Sequence, residues 1–190
     1  MLANLIAFLW GFAEATLFFF VPDIALSVIA LYGVDLGLEA CIYALAGALT
    51  GGWVMYRWGT SKLDWLLGIF LKLPAIRKVE LERVRAGYQK QGVMALFWGP
   101  LLGVPYKIYA VYAHQFVPLS TFILVSIPAR VIRFVLVVIL TPPVIEWIMP
   151  ESPLPTQIVA VLFFLGAVLL WLFLCQAEVS LRGSSNFKLF

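Results

Sequence analysis

Glu14 and Asp23 lie in a stretch, Met1 to Leu31, that is otherwise almost wholly apolar. A charged side chain at membrane depth costs at least about 2.5–3.5 kcal/mol on insertion scales, so two carboxylates in one apolar run demand partners. Pro22 directly precedes Asp23, and proline removes a backbone donor and clashes with the preceding helical turn. Lipid cannot satisfy broken backbone, so an interruption here has to be covered by protein or line a cavity. Charge and break together predict a re-entrant element with a transport or proton site at its tip.

Composition sets the solvent. Of 190 residues, 63% are hydrophobic and 12% charged, against roughly 25% charged in a soluble domain. The mean hydropathy is +1.00. An all-α integral membrane protein of one domain follows. The net charge of +3 does not point to nucleic acid, because the basic residues cluster in one loop beside apolar segments. Cys41 and Cys175 sit in separate apolar segments, show no metal-ligand spacing and read as small hydrophobes. No metal or cofactor is expected. The N-terminus has no basic n-region, so no cleavable signal is expected.

Residues 1–33 read as the first re-entrant hairpin, interrupted at Pro22 and Asp23, with a polar turn from Tyr32 to Glu39. A transmembrane helix over 38–58 follows, in which Gly47, Gly51 and Gly52 permit close approach of another helix. Residues 62–90 form a cytoplasmic amphipathic segment. Ile76, Val79, Val84 and Tyr88 make its apolar side, and Arg77, Lys78, Arg83 and Arg85 its basic side. It reads either as a solvated loop or as a helix against anionic headgroups. A second hairpin is expected over 92–114, with breaks at Pro100, Gly103, Pro105 and Tyr106, because two interior prolines would cost a straight helix about 3 kcal/mol each. A broken transmembrane helix over 117–149, a final span over 156–175 and a cytoplasmic tail over 176–190 complete the chain.

Charge gives orientation. Arg57 to Lys90 holds eight Lys and Arg against three acids and is expected in the cytoplasm; segments 32–39 and 141–155 hold no Lys or Arg and are expected outside. If 92–114 crossed fully, 141–155 would end inside, so it is expected to enter and leave from the cytoplasm. The first hairpin would be its mirror image. Val21-Pro22-Asp23 weakly echoes Val104-Pro105-Tyr106-Lys107, as in the inverted repeats of secondary transporters.

Four motifs in order resemble the DedA family, also called VTT-domain or SNARE-associated membrane proteins, most closely its small YqaA-type branch. They are FAEATLFFFVPD (12–23), GALTGGWVMYRWG (47–59), GVPYKIYAVYA (103–113) and PARVIRF (128–134). The likeness departs at Leu101, where larger family members carry an arginine; Lys107 stands at their second basic position. The resemblance implies two facing re-entrant hairpins meeting near the bilayer midplane, in a multi-pass protein of the bacterial inner (plasma) membrane. It also implies lipid transport or scrambling, of undecaprenyl phosphate in some members, and proton coupling proposed for others.

Within the apolar segments the charged set is Glu14, Asp23, Lys107, Arg130 and Arg133. Two acids can neutralise two bases, and the surplus positive charge suits an anionic membrane lipid. Arginine grips phosphate with a planar fork, and lysine offers a movable point charge. A carboxylate in such a setting can also carry protons. The same residues read structurally as counter-ions, a helix-start cap at Asp23 and a snorkelling Lys107. A lipid transporter or scramblase is the first expectation. A proton-coupled exporter of small cations or drugs would need a net acidic centre. A non-transporting assembly factor would leave the buried charges unexplained. An enzyme is not expected, since His114 is the lone histidine and stands at a segment end. The sequence leaves homo-oligomerisation open.

Overall fold

The computed structural model is all-helical and describes residues 2–16, 22–72, 76, 78–102, 104–148, 162 and 166. Its helices are α1 (Leu2–Ala15), α2 (Pro22–Tyr32), α3 (Val34–Lys72), α4 (Lys78–Gln91), α5 (Met94–Leu101), α6 (Tyr106–Ala113) and α7 (Leu119–Ile148). Among the described residues, α3 and α7 are long and apolar enough to cross a membrane. At 1.5 Å per residue α1 and α2 reach about 21 and 16 Å, and α5 and α6 about 12 Å each, short of a hydrocarbon core about 30 Å thick.

The short helices pack as two pairs along α3. Asn4 Nδ2 donates to Glu39 Oε1 at 2.7 Å, Gly47 abuts the Phe8 carbonyl, and Gly51 lies against Phe12, Ala15 and Thr16. Both numbers rise together, so α1 runs parallel to α3. Gly37 meets Ala30, and Leu26 shares a core cluster with Ala40 and Ala44; α2 therefore runs antiparallel to α3, and hence to α1. The two lie side by side as an antiparallel pair, and the end of α1 reaches Gly51. In the second pair Gly52 meets Tyr106 and Gly59 meets Val111, so α6 also runs parallel to α3. Gly99 lies under the Tyr109 hydroxyl, which lays α5 against α6. The two helix pairs thus approach α3 from opposite ends, and the end of α1 and the start of α6 meet beside Gly51 and Gly52.

Close contact there requires glycine. A Cβ on Gly11 would strike the Ala44 carbonyl and one on Gly47 the Phe8 carbonyl, so backbone meets backbone without intervening side chains. Helix α7 crosses the whole assembly antiparallel to α3, with Val138 on Gly37 and Phe122 against Tyr56. Two apolar clusters result. One joins α1, α2, the start of α3 and Phe134 and Val138 of α7; the other joins the rest of α3 with α4–α6 and Phe122. Much of α7 faces outward, with Leu124, Leu136, Ile139, Leu140 and Val144 all exposed. An apolar face that large suits a bilayer better than water.

Several boundaries differ from the sequence reading. Tyr32–Glu39 is not a turn: α2 ends at Tyr32, Gly33 links, and α3 starts at Val34. The 38–58 span is the middle of α3, which continues to Lys72 past a kink at Lys62 (φ −140, ψ 35). The amphipathic segment is therefore two pieces, the end of α3 and then α4. Helix α4 buries Leu81, Val84 and Tyr88, whereas Val79 is 65% exposed. It packs on α5 and α6, where the Tyr88 hydroxyl donates to the Tyr109 carbonyl at 3.0 Å. Gly92, at φ +57, ends α4 in the left-handed conformation glycine tolerates.

The prolines also fall differently. Pro22 opens α2 as its first residue, where a missing N–H costs nothing. Pro100 stays inside α5, and the break comes after it. Pro105 caps α6, and Tyr106 is the first residue of that helix rather than part of the break. Helix α7 runs unbroken through Pro128, Pro142 and Pro143. The Thr141 hydroxyl donates to the Val137 carbonyl at 2.7 Å, a local bond of the kind that lets apolar helices accommodate proline. Gly103, most of the 156–175 span and the 176–190 tail lie outside the described residues, as do Arg77 and the 17–21 tip.

Candidate functional site

Helix α7 passes the meeting point of the two hairpin tips with Ser126, Arg130 and Arg133. Their spacing of four and three residues puts all three on adjoining faces of one helix. Arg130 Nη1 lies 2.7 Å from Glu14 Oε2, at the end of α1, with side chains 4% and 13% exposed. Arg133 pairs with Asp23 in the first turn of α2, with side chains 30% and 23% exposed. Each arginine of α7 therefore takes one acid from one arm of the first hairpin.

The second hairpin closes the site from the other side. The Arg130 guanidinium stacks 3.9 Å from the centroid of the Tyr106 ring. Gly52 leaves room for that ring, since a Cβ there would fall 2.5 Å from the Tyr106 hydroxyl. The hydroxyl donates to Ser126 Oγ at 2.9 Å, and Ser126 in turn donates to the Phe122 carbonyl at 2.7 Å. Lys107 is 2% exposed and within electrostatic reach of Glu14 and Arg130. Arg133 Nη1 donates to the Pro100 carbonyl at 3.4 Å. All five charges of the sequence reading are thus gathered at the hairpin tips.

The two arginines are satisfied unequally. Arg133 uses Nε and Nη2 on Asp23 Oδ2 and Nη1 on Pro100. Arg130 touches Glu14 as an ion pair, yet Glu14 Oε2 accepts no aligned hydrogen bond and Arg130 Nε and Nη2 have no acceptor. Among the described residues, the buried side-chain polar atoms without a hydrogen-bond partner are those three and Asp23 Oδ1. Native interiors rarely leave such atoms unpaired, and clusters of them mark places where water, an ion or a ligand belongs.

No protein-family model, curated protein or solved structure matches this chain. What the site can do is therefore read from its atoms. It offers an anion two N–H donors of a guanidinium held flat on an aromatic ring, with an ammonium nearby. Sequence reasoning did not find the Tyr106 platform, its Ser126 anchor or the purpose of Gly52. The available signal was the tyrosine immediately before the buried lysine, on a hairpin arm otherwise made of apolar residues and tyrosines. His114, at the far end of α6, takes no part: its Nδ1 bonds the Val111 carbonyl at 2.8 Å.

Proposed function

We propose that this protein is a lipid transporter or scramblase that moves phosphate-bearing lipids across a bilayer, with Arg130 and Lys107 receiving the phosphate at the hairpin tips. The observation that carries the reading is the pair of buried, unbonded N–H donors on Arg130. A lipid phosphate supplies acceptors of the right charge and geometry, and a charge-assisted bond in a dry site is among the stronger ones available. The opposed short helices support it, because none of them is long enough by itself to cross a hydrocarbon core about 30 Å thick. The resemblance of the four motifs to the DedA family points the same way. Glu14 and Asp23 would hold the arginines in place, and Glu14, whose grip on Arg130 is poorly aligned, would exchange a proton as the phosphate comes and goes.

In this reading α3 and α7 cross the membrane of a bacterial cell, the first hairpin re-enters from outside, and the second from the cytoplasm together with α4. Cysteines placed at Leu36 and Arg85 should label from opposite sides of sealed vesicles; labelling from one side breaks the inverted arrangement. The functional test is reconstitution into liposomes with fluorescent lipids of several headgroups. Phosphate-bearing lipids should flip faster than in empty liposomes, and Arg130→Gln should abolish the gain. Equal flipping of a lipid without phosphate, or no flipping of any, would overturn the proposal.

A further inference from the structure

Along the outer side of the second hairpin, α4, α5 and α6 enclose a pocket of about 390 Å³. Arg83 and Gln91 of α4, both exposed, form one lip. Trp98 of α5 and Leu102 just past its end, 53% and 79% exposed, form the other. The floor is made by small residues: Gly87 faces Ala95, and Gly99 lies beneath the Tyr109 hydroxyl. Arg83 acts electrostatically on that hydroxyl, opposed by Glu80 one turn before it. The pocket extends to Val104, three residues before Lys107.

We infer that this pocket is a capture site for the phosphodiester headgroup of an anionic phospholipid in the adjacent leaflet. The inference rests on the membrane placement proposed above, but not on transport. Three features converge on it. The volume is at the low end of the about 300–1,000 Å³ of small-molecule sites, room for a headgroup and not for a whole lipid. One lip is an arginine on an amphipathic helix, which sits at headgroup level, and the other is an exposed tryptophan, the residue that favours that level. Leu102 gives the upper acyl chain an apolar edge on the bilayer side. Arg83 would bind the phosphate, with the Gln91 amide and Tyr109 hydroxyl donating to the glycerol and ester oxygens. A lipid seated here has its headgroup beside the hairpin tip that leads to Arg130.

Arg85 provides the control. It is exposed on the same helix, but its charge acts on Tyr112, where Asp64 and Glu82 oppose it, and it does not line the pocket. Arg83→Gln and Arg85→Gln thus remove the same charge from different faces. The full-length protein in a neutral detergent is titrated by native mass spectrometry with dioleoyl phosphatidylglycerol, dioleoyl phosphatidylcholine and glycerol 3-phosphate. Phosphatidylglycerol should be retained over phosphatidylcholine. Arg83→Gln should weaken its retention about tenfold, the effect of losing one charged hydrogen bond, and Arg85→Gln less than about twofold. Gln91→Glu, an exposed change that keeps Arg83, should also weaken it. Equal losses in the two arginine variants would mean general charge attraction and overturn the pocket. Equal retention of phosphatidylcholine, or binding of glycerol 3-phosphate without phosphatidylglycerol, would overturn the anionic-lipid assignment. Lipid flipping reports the tip site and lipid retention the pocket, so failure of one is distinguishable from failure of the other.

Discussion

The two ion pairs, Glu14–Arg130 and Asp23–Arg133, join the same helix to the two arms of the same hairpin, yet they are built for different work. The Arg133 pair is partly open, and each Arg133 nitrogen has an acceptor, on Asp23 or the Pro100 carbonyl. The Arg130 pair is buried and under-bonded, with its guanidinium resting on Tyr106. A satisfied arginine ties three elements together. An unsatisfied one, kept where water is scarce, holds binding capacity in reserve. The deeper pair is therefore the better candidate for ligand chemistry and the shallower one for assembly.

The largest expected effect comes from Arg130→Ala. It leaves the Glu14 carboxylate buried without its counter-ion, and breaking a buried pair costs about 3–5 kcal/mol. Thermal unfolding in detergent should show the loss. The double variant Glu14→Gln with Arg130→Gln should regain most of the stability and none of the lipid flipping. If flipping returns with stability, Arg130 is only a counter-ion and the contrast between the pairs collapses.

Much of this contrast was hidden in the sequence for physical reasons. The charged set was legible, because five ionisable residues in apolar segments are too costly to be incidental. The all-helical class was legible from composition, whereas the prolines open or sit within helices rather than marking every break. The pairing was not legible: Arg130 and Arg133 are three residues apart on one helix, and either could reach either acid until the packing of α1 and α2 is known. Nor could periodicity reveal that Val79 faces outward while Leu81 faces the core, because α4 packs against two short helices at once. Tyr106 looked like part of a break, since the neighbouring Pro105 marks one; only the close approach at Gly52 shows where its ring lies.

Gly52→Ala should rank second. The added methyl would push the Tyr106 ring from beneath Arg130, at an overpacking cost of about 1–3 kcal/mol. Flipping should fall more than stability predicts, because the platform moves while the ion pairs remain. A variant that loses stability but flips lipid normally would show that the ring is packing alone. Asp23→Asn should follow, at about 1–2 kcal/mol, since a partly exposed pair loses less on neutralisation and Arg133 keeps its bond to Pro100. Its unfolding midpoint should fall less than that of Glu14→Gln only if Glu14 is the stronger holder despite its alignment. The reverse order would make the shallow pair the main clasp.

The smallest effects provide the finest test, because α7 carries two hydroxyls with the same local bonding, Ser126 behind the Tyr106 platform and Thr141 about two turns beyond Arg133. Ser126 and Thr141 both donate to the carbonyl four residues back on α7, at 2.7 Å in each case. Ser126 also accepts the Tyr106 hydroxyl at 2.9 Å, whereas Thr141 meets Ser27 at 3.0 Å on the partly open side. Ser126→Ala leaves a buried phenol without its acceptor, a loss of about 1–2 kcal/mol. Thr141→Val keeps the shape and removes a half-exposed bond, so about 0.5 kcal/mol is expected. Chemical denaturation of matched variants can resolve that gap. Flipping should follow the same order, reduced in Ser126→Ala because Tyr106 is freed to turn away from Arg130, and unchanged in Thr141→Val. Equal effects of the two would mean that Tyr106 is held by Gly52 and Arg130 without help from its hydroxyl, and that the buried pair owes its geometry to packing rather than to a hydrogen-bonded chain.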